Sequence, residues 1–444
     1  MAAGRTDGLG APGPRALLQL AGPSALFVLL TNGYRVVDQY WVDRISVAAQ
    51  AAVGSTMFVL VVAYASYEVL SAGAGPLVAR ASGAAEPVAR RQVLGAALWG
   101  GLVLAAAWAL LGGVFAPQLA ASLGLEAEAR LEATRYLRVL ALTGLPLVLT
   151  PLVDQAFIAT GDAKTPLALH GLALVANLFL TPWFVLELGL GVGGAALAST
   201  LARALATGWG ILVLARRTGL TLGDLGPGPQ LRRVIRIGLP MAGNTALYGG
   251  VYWIMVDVAV SPLGPEVNAA LGIGWSALEG LSWTLFHGLA LAAGSIVGRH
   301  LGAGDPNAAA AAARSTLGPT LALGAAATAV FVFGGDTLTG WFASDPEVHR
   351  VAMSYAIIVG YSQLFVALET TAEGILAGAG DTRGVFLTSA PFNLLRVPLA
   401  WAFALPLGFG AEGLWWVITG TTVAKAGVKL ARVAGGAWLR IDPA

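Results

Sequence analysis

The 444-residue chain contains no cysteine, which removes disulfides, thiolate metal sites and thiol nucleophiles together. Charge is scarce as well. Only 11% of residues are charged against 57% hydrophobic, whereas soluble domains run near a quarter charged, which argues against a water-soluble globule. A formal net charge of +2 lacks the basic clustering that nucleic-acid binding needs. The four histidines, His170, His287, His300 and His349, are scattered and offer no paired spacing for zinc. No Asp-rich diphosphate–Mg²⁺ motif is present to support a membrane-embedded transferase. Long apolar runs and 59 glycines are what the chain has instead.

At ~20 residues per span this length admits roughly a dozen transmembrane helices. Twelve apolar stretches are readable, near 16–42, 50–78, 92–116, 134–159, 165–187, 192–215, 234–260, 268–297, 315–335, 351–377, 385–408 and 412–434. They are continuous Leu, Ala, Val and Gly without alternation, a helical and not a β-barrel pattern. The first exceeds the h-region of a signal peptide and ends in polar residues without a small-residue cleavage site, so it reads as a span. Most basic residues, among them Arg80, Arg90, Arg91, Arg216, Arg217, Arg232, Arg233, Arg299 and Lys429, fall in connections on one side. The positive-inside rule then predicts both termini in the cytoplasm of an inner-membrane protein. Trp41, Trp183, Trp341 and Trp438 near span ends read as interfacial belt residues.

The chain repeats itself at a shift of 219 residues. Val78–Pro87 and Val297–Pro306 are identical at five of ten positions; Gly161-Asp162-Ala-Lys164 aligns with Gly380-Asp381-Thr-Arg383, and Gly189, Gly191 and Gly194 with Gly408, Gly410 and Gly413. Each half then has six spans. An even number returns the chain to its starting side, so the halves share one orientation and a pseudo-two-fold axis along the membrane normal, common among secondary transporters. The predicted fold is an all-α membrane protein of two six-helix lobes, 1–218 and 234–444. The Pro/Gly-bearing stretch 219–233 is read as a cytoplasmic linker.

These residues also carry a resemblance. The six-plus-six arrangement, the loop R80-A-S-G-A with its copy R299-H-L-G-A-G-D-P306, and the run A-G-A-G-D-T-R at 377–383 resemble the multidrug and toxic compound extrusion (MATE) family of antiporters. Pro23, Tyr34 and the run V-V-D-Q-Y-W-V around Asp38 resemble its prokaryotic DinF-like branch. The resemblance implies a cation-coupling cluster of Asp38, Tyr34, Tyr136, Asn177 and Ser199, with Pro23 at the bend of the first helix. One position departs: Asn177-Leu-Phe-Leu-Thr181-Pro182 has a threonine where the branch places a second aspartate. Thr181 can donate a hydroxyl or ligate a cation but cannot take up a proton in the physiological range.

Embedded charge needs a reason, since a carboxylate at mid-membrane costs ~2.5–3.5 kcal/mol on insertion scales. Asp38 is read as a proton or Na⁺ site, the rival being a static pair with Arg35. The repeat places Asp257 opposite Asp38 as a second coupling or substrate-facing acid. Glu68 with Tyr64, Glu279, Trp283, His287 and Glu369 are read as substrate-cavity residues, where aromatics beside acids suit a flat organic cation; packing is the alternative for each. Asp154 and Glu373, also offset mates, stand near the G-D turns and read equally as interfacial structure. Arg396 takes the offset position of Asn177. The expected function is a secondary antiporter exporting cationic organic compounds for H⁺ or Na⁺, a monomer in the lipid bilayer with no cofactor beyond that ion. A lipid-linked oligosaccharide flippase of the wider superfamily is the runner-up, and a major-facilitator carrier is disfavoured because Arg80–Arg91 lacks that family's loop pattern.

Overall fold

The computed structural model describes residues 13–442, the side chains of Arg35, Val36, Met57 and Phe58 apart. Among the described residues there is no strand. The first half comprises α1 (Pro14–Val42), α2 (Val47–Gly83), α3 (Pro87–Ala121), α4 (Ala127–Leu142), α5 (Leu145–Ala159), α6 (Lys164–Pro182) and α7 (Gly191–Thr218). The second comprises α8 (Pro229–Met255), α9 (Pro265–Gly272), α10 (Gly280–Gly302), α11 (Pro306–Ser315), α12 (Leu317–Gly340), α13 (Pro346–Gly360), α14 (Gln363–Gly378), α15 (Thr382–Ala404) and α16 (Gly410–Ala434). The 219-residue offset maps helix onto helix: α2 onto α9 plus α10, α3 onto α11 plus α12, α6 onto α15, α7 onto α16.

Counted as spans, these helices make the twelve of a repeated six-helix fold. Among the described residues, eight helical segments are long and apolar enough to cross a membrane, and ten are if each bent pair is one span. The other two are α15, with Asn393 and Arg396, and α16, with Lys425, Lys429 and Arg432; their polar side chains depress the hydropathy. The stretch read as one span at 134–159 begins earlier, at Ala127, and is broken between α4 and α5 by a 54° bend. Pro146 cannot donate the hydrogen bond that would carry α4 onward. Yet α13 and α14 bend by the same 54°, and there the mate of Pro146 is Phe365. The bend therefore belongs to the fold and not to the proline.

The turns repeat as closely. Gly161 and Gly380 adopt φ of 90° and 89°, a left-handed conformation that glycine enters without steric penalty. Gly304 has φ 76°, and its mate is the one non-glycine with positive φ among the described residues, Ala85 at 56°.

The chain packs as two compact units, Leu26–Ala242 and the remainder, which joins residues up to Ala25 to Gly243 onward. The first is cored by Leu70, Leu94, Leu152, Phe157 and Leu214. The second is cored by Met255, Tyr355, Leu414 and Trp415. In each, small residues let helices close to backbone contact. A Cβ on Gly238 would stand 1.8 Å from the Val69 carbonyl oxygen, and one on Gly378 2.2 Å from that of Gly294.

Candidate functional site

Asp38 lies one turn from the end of α1 and is 6% exposed. Three helices meet there. Ser199 on α7 donates its hydroxyl to Asp38 Oδ2 at 2.6 Å. From α6, the Thr181 hydroxyl reaches Oδ1 at 3.4 Å and the Asn177 amide nitrogen reaches it at 3.5 Å. Asn177 also donates to Thr181 and Ser199, both at 3.0 Å. Asn177 and Thr181 share a face because they stand four residues apart on a helix. No Lys or Arg among the described side chains bonds Asp38, and Arg35 lies outside the described side chains. The Asn177 amide oxygen is buried with no hydrogen-bond partner. A carboxylate and an open carbonyl oxygen, enclosed by neutral hydroxyls, form a cation-accepting donor set. Thr181 keeps the hydrogen-bonding part of the aspartate's role and loses its charge.

Of the two tyrosines expected beside Asp38, Tyr34 turns its hydroxyl elsewhere. Tyr34 donates its hydroxyl to the backbone carbonyl of His170 at 3.2 Å, and the Arg203 guanidinium lies over its ring, 4.6 Å from the centroid. Tyr136 packs into an apolar cluster with Val42, Val185 and Val192. Pro23 sits inside α1, which runs helical through it.

The residues assigned to the substrate cavity differ in their surroundings within their own units. Glu68 is half-buried, while Tyr64 is exposed. Asp257, the mate of Asp38, sits exposed on a π-helical segment, Val256–Val260. Glu279 accepts from the Tyr355 hydroxyl at 2.6 Å. His287 stacks on Trp283 with ring centroids 4.6 Å apart. Glu369 is buried against the ammonium groups of Lys429 at 2.7 Å and Lys425 at 3.1 Å. Lys429 also bonds Glu373, so neither glutamate's charge is left open to an organic cation.

Three of these partners escaped the sequence reading. Lys429, placed there in a cytoplasmic connection, is 0% exposed, about a turn and a half before the C-terminal end of α16. His170, noted only as one of four scattered histidines, bonds Asp154 at 2.8 Å. Tyr252 joins Thr421 and Thr422 in binding the buried Arg396 at 3.0–3.1 Å. Lone polar residues in apolar runs give no spacing signal; the 219-residue offset was the available clue, and it marks Glu373 as the mate of Asp154.

Outside the spans, Asp162 follows the left-handed Gly161 and accepts the backbone N–H groups of Lys164 and Thr165. Burial pushes its carboxyl up, but the Thr165 hydroxyl and amide and the Arg217 guanidinium outweigh this and hold it below the usual carboxylate range. Its mate Asp381 accepts from the Gly384 N–H and two nitrogens of Arg432.

The MatE family model matches residues 23–183 and 240–402. A probable multidrug resistance protein NorM from Thermotoga maritima is 24% identical over 96% of this chain and 93% of its own length. Its counterpart in Deinococcus radiodurans is 30% identical over 92% and 93%. Among solved structures, a MOP superfamily transporter from Pyrococcus furiosus, whose reversed binding-pocket polarity suggests a different function, superposes with a TM-score of 0.90 at 21% identity over 99% of either chain.

Proposed function

Because the chain belongs to the MatE family of multidrug efflux transporters, we propose that this multi-pass membrane protein is a secondary antiporter. It exports organic, mostly cationic, compounds across the inner membrane in exchange for H⁺ or Na⁺. Both termini are cytoplasmic in this reading, and a monomer suffices, with no cofactor beyond the coupling ion. The observation that carries it is Asp38: a buried carboxylate that, among the described side chains, is bonded by neutral donors alone, beside a carbonyl oxygen with no partner among them. An embedded acid that no basic side chain among those described bonds directly is stabilised when a cation or proton arrives. Ion and substrate need not bind together; they need only favour opposite conformations.

The flippase alternative draws on Arg396, Lys425 and Lys429, which would suit an anionic headgroup. Both lysines are tied to Glu369 and Glu373, which favours the antiporter. Purified protein in liposomes, given a proton or a Na⁺ gradient separately, tests the reading through flux of a cationic dye. One gradient should drive flux well above the no-gradient rate; flux no faster than the no-gradient rate under either would sink it.

A further inference from the structure

We propose that Asp154 and His170 form a second proton site in the Leu26–Ala242 unit, separate from Asp38 and wired into α1 through Thr31. Both residues are buried, at 8% and 3% exposure. His170 Nε2 stands 2.8 Å from Asp154 Oδ2, and Nδ1 stands 3.2 Å from the Thr31 hydroxyl oxygen.

The argument is a proton count. A hydroxyl has one hydrogen, and the Thr31 oxygen stands within reach of two acceptors, the Phe27 carbonyl at 2.9 Å and His170 Nδ1 at 3.2 Å. When the hydrogen points to Phe27, the oxygen offers His170 a lone pair and Nδ1 carries a hydrogen of its own. The contact between Nε2 and the carboxylate oxygen also needs a hydrogen between them, so in this arrangement either the ring is an imidazolium or Asp154 is protonated. When the hydroxyl points to Nδ1, a neutral Nε2–H ring faces the carboxylate, and the pair holds one proton fewer.

Removing that proton leaves two lone pairs facing each other at 2.8 Å. The structure supplies one relief: Thr31 turns its hydroxyl from Phe27 to Nδ1, and the remaining ring hydrogen moves to Nε2, facing Asp154. Proton release from the pair thus costs α1 its Thr31–Phe27 bond, and proton uptake restores it. Asp38 is carried by the same helix, and Asn177 by the helix of His170.

The surroundings from each packed helix are defined. Tyr34 comes from α1, Thr150 from α5, and Arg203 and Thr207 from α7; together with Asp154 and His170 they line a small cavity. Thr150 and Thr207 bond each other at 2.6 Å, and from α2 Tyr64 is within electrostatic reach of Asp154 and Glu68. Arg203 faces Tyr34 and so provides the pair with no direct counter-ion. The second half has no such pair: the mates of His170, Ala206 and Gly210 are Ser389, Lys425 and Lys429.

The proposal deepens the proton-driven reading above, but the titration of the pair is measurable without transport. Full-length protein with ¹⁵N-labelled histidine in lipid nanodiscs is followed by NMR from pH 4 to 10, with His170 assigned by the signal lost in His170→Gln or, should that variant not fold, by the signal shifted in Asp154→Asn. The expected result is a change from a doubly hydrogenated ring or shared-proton pair to a neutral Nε2–H ring, in the wild type and in Asp38→Asn alike. A His170 signal constant across that range, or a titration that vanishes in Asp38→Asn, overturns the second site. In liposomes His170→Gln should lower the number of protons exchanged per dye molecule by one, and an unchanged number also overturns it. Absence of dye flux under either gradient while His170 still titrates would sink the antiporter reading and leave the pair standing.

Discussion

The two halves share a backbone and differ in where they keep charge. In the first, Asp38 stands among Asn177, Thr181 and Ser199, and no basic side chain among those described bonds it. In the second, Arg396 replaces Asn177, and the acids Glu369 and Glu373 are held by Lys425 and Lys429, whose mates are Ala206 and Gly210. One half holds its carboxylate with neutral donors among the described side chains; the other brings its own ammonium on a side chain. Symmetry of fold is thus compatible with a division of labour in which a single half does the ion chemistry.

The comparison breaks most sharply at the offset aspartates. Asp38→Asn should reduce gradient-driven dye efflux to background, while Asp257→Asn, on an exposed segment, should leave it within about twofold, less than ~0.5 kcal/mol on the scale where tenfold is 1.4 kcal/mol. Comparable losses in both would erase the asymmetry. Lys429→Met comes next. It leaves Glu369 and Glu373 short of a buried partner, and removing one side of a buried pair costs about 3–5 kcal/mol. Thermal denaturation in detergent should show a large drop, partly recovered by adding Glu373→Gln; a stability equal to the wild type would mean the pair is idle.

Smaller effects lie in the turns. Asp162→Ala should cost about 1 kcal/mol near neutral pH, the usual loss at a helix start. Because the folded carboxyl lies below its ordinary value, its contribution is present above the unfolded pKa of about 4 and disappears as pH falls through the folded one. The gap between variant and wild type should therefore close on acidification and not on alkalinisation, as read from melting midpoints against pH. Ala85→Gly installs the residue its mate Gly304 already has at positive φ, and relief of the left-handed penalty predicts a gain of up to about 1 kcal/mol. A loss would show that the Ala85 turn is not strained.

Much of the architecture was legible because apolar runs and a fixed offset are long-range signals. The offset anticipated paired elements down to Gly161 and Gly380. The interruptions were not legible: nothing in Ala127–Ala159 distinguishes a bent pair from a straight span, and Phe365 shows that the bend needs no proline. At the candidate site, the resemblance brought together Asp38, Asn177, Thr181 and Ser199, which do meet, and added Tyr34, whose hydroxyl bonds the His170 carbonyl, and Tyr136, which packs in an apolar cluster with Val42. Lys429 was assigned to a loop because counting positive charges treats a lysine near a span end as solvated, and a glutamate one helix away is invisible to that count. Trp438 was misread for a similar reason; expected in the interfacial belt, it is buried and donates to the Val433 carbonyl. The Asp162–Arg217 and Asp381–Arg432 pairs repeat in geometry without repeating in register, so an offset search passes over their arginines.

The burial of Lys425 and Lys429 also constrains how the protein is made. A basic residue at the centre of a helix raises its insertion free energy by ~2.5–3.5 kcal/mol, and Lys425 is the one that lies well inside α16, so α16 is a poor candidate to partition into lipid by itself. The glutamates that accept those lysines lie on α14, upstream, and leave the ribosome earlier. Biogenesis therefore has a required sequence: α14 settles first with its acids waiting, and α16 enters against it as a client of a neighbour already in place.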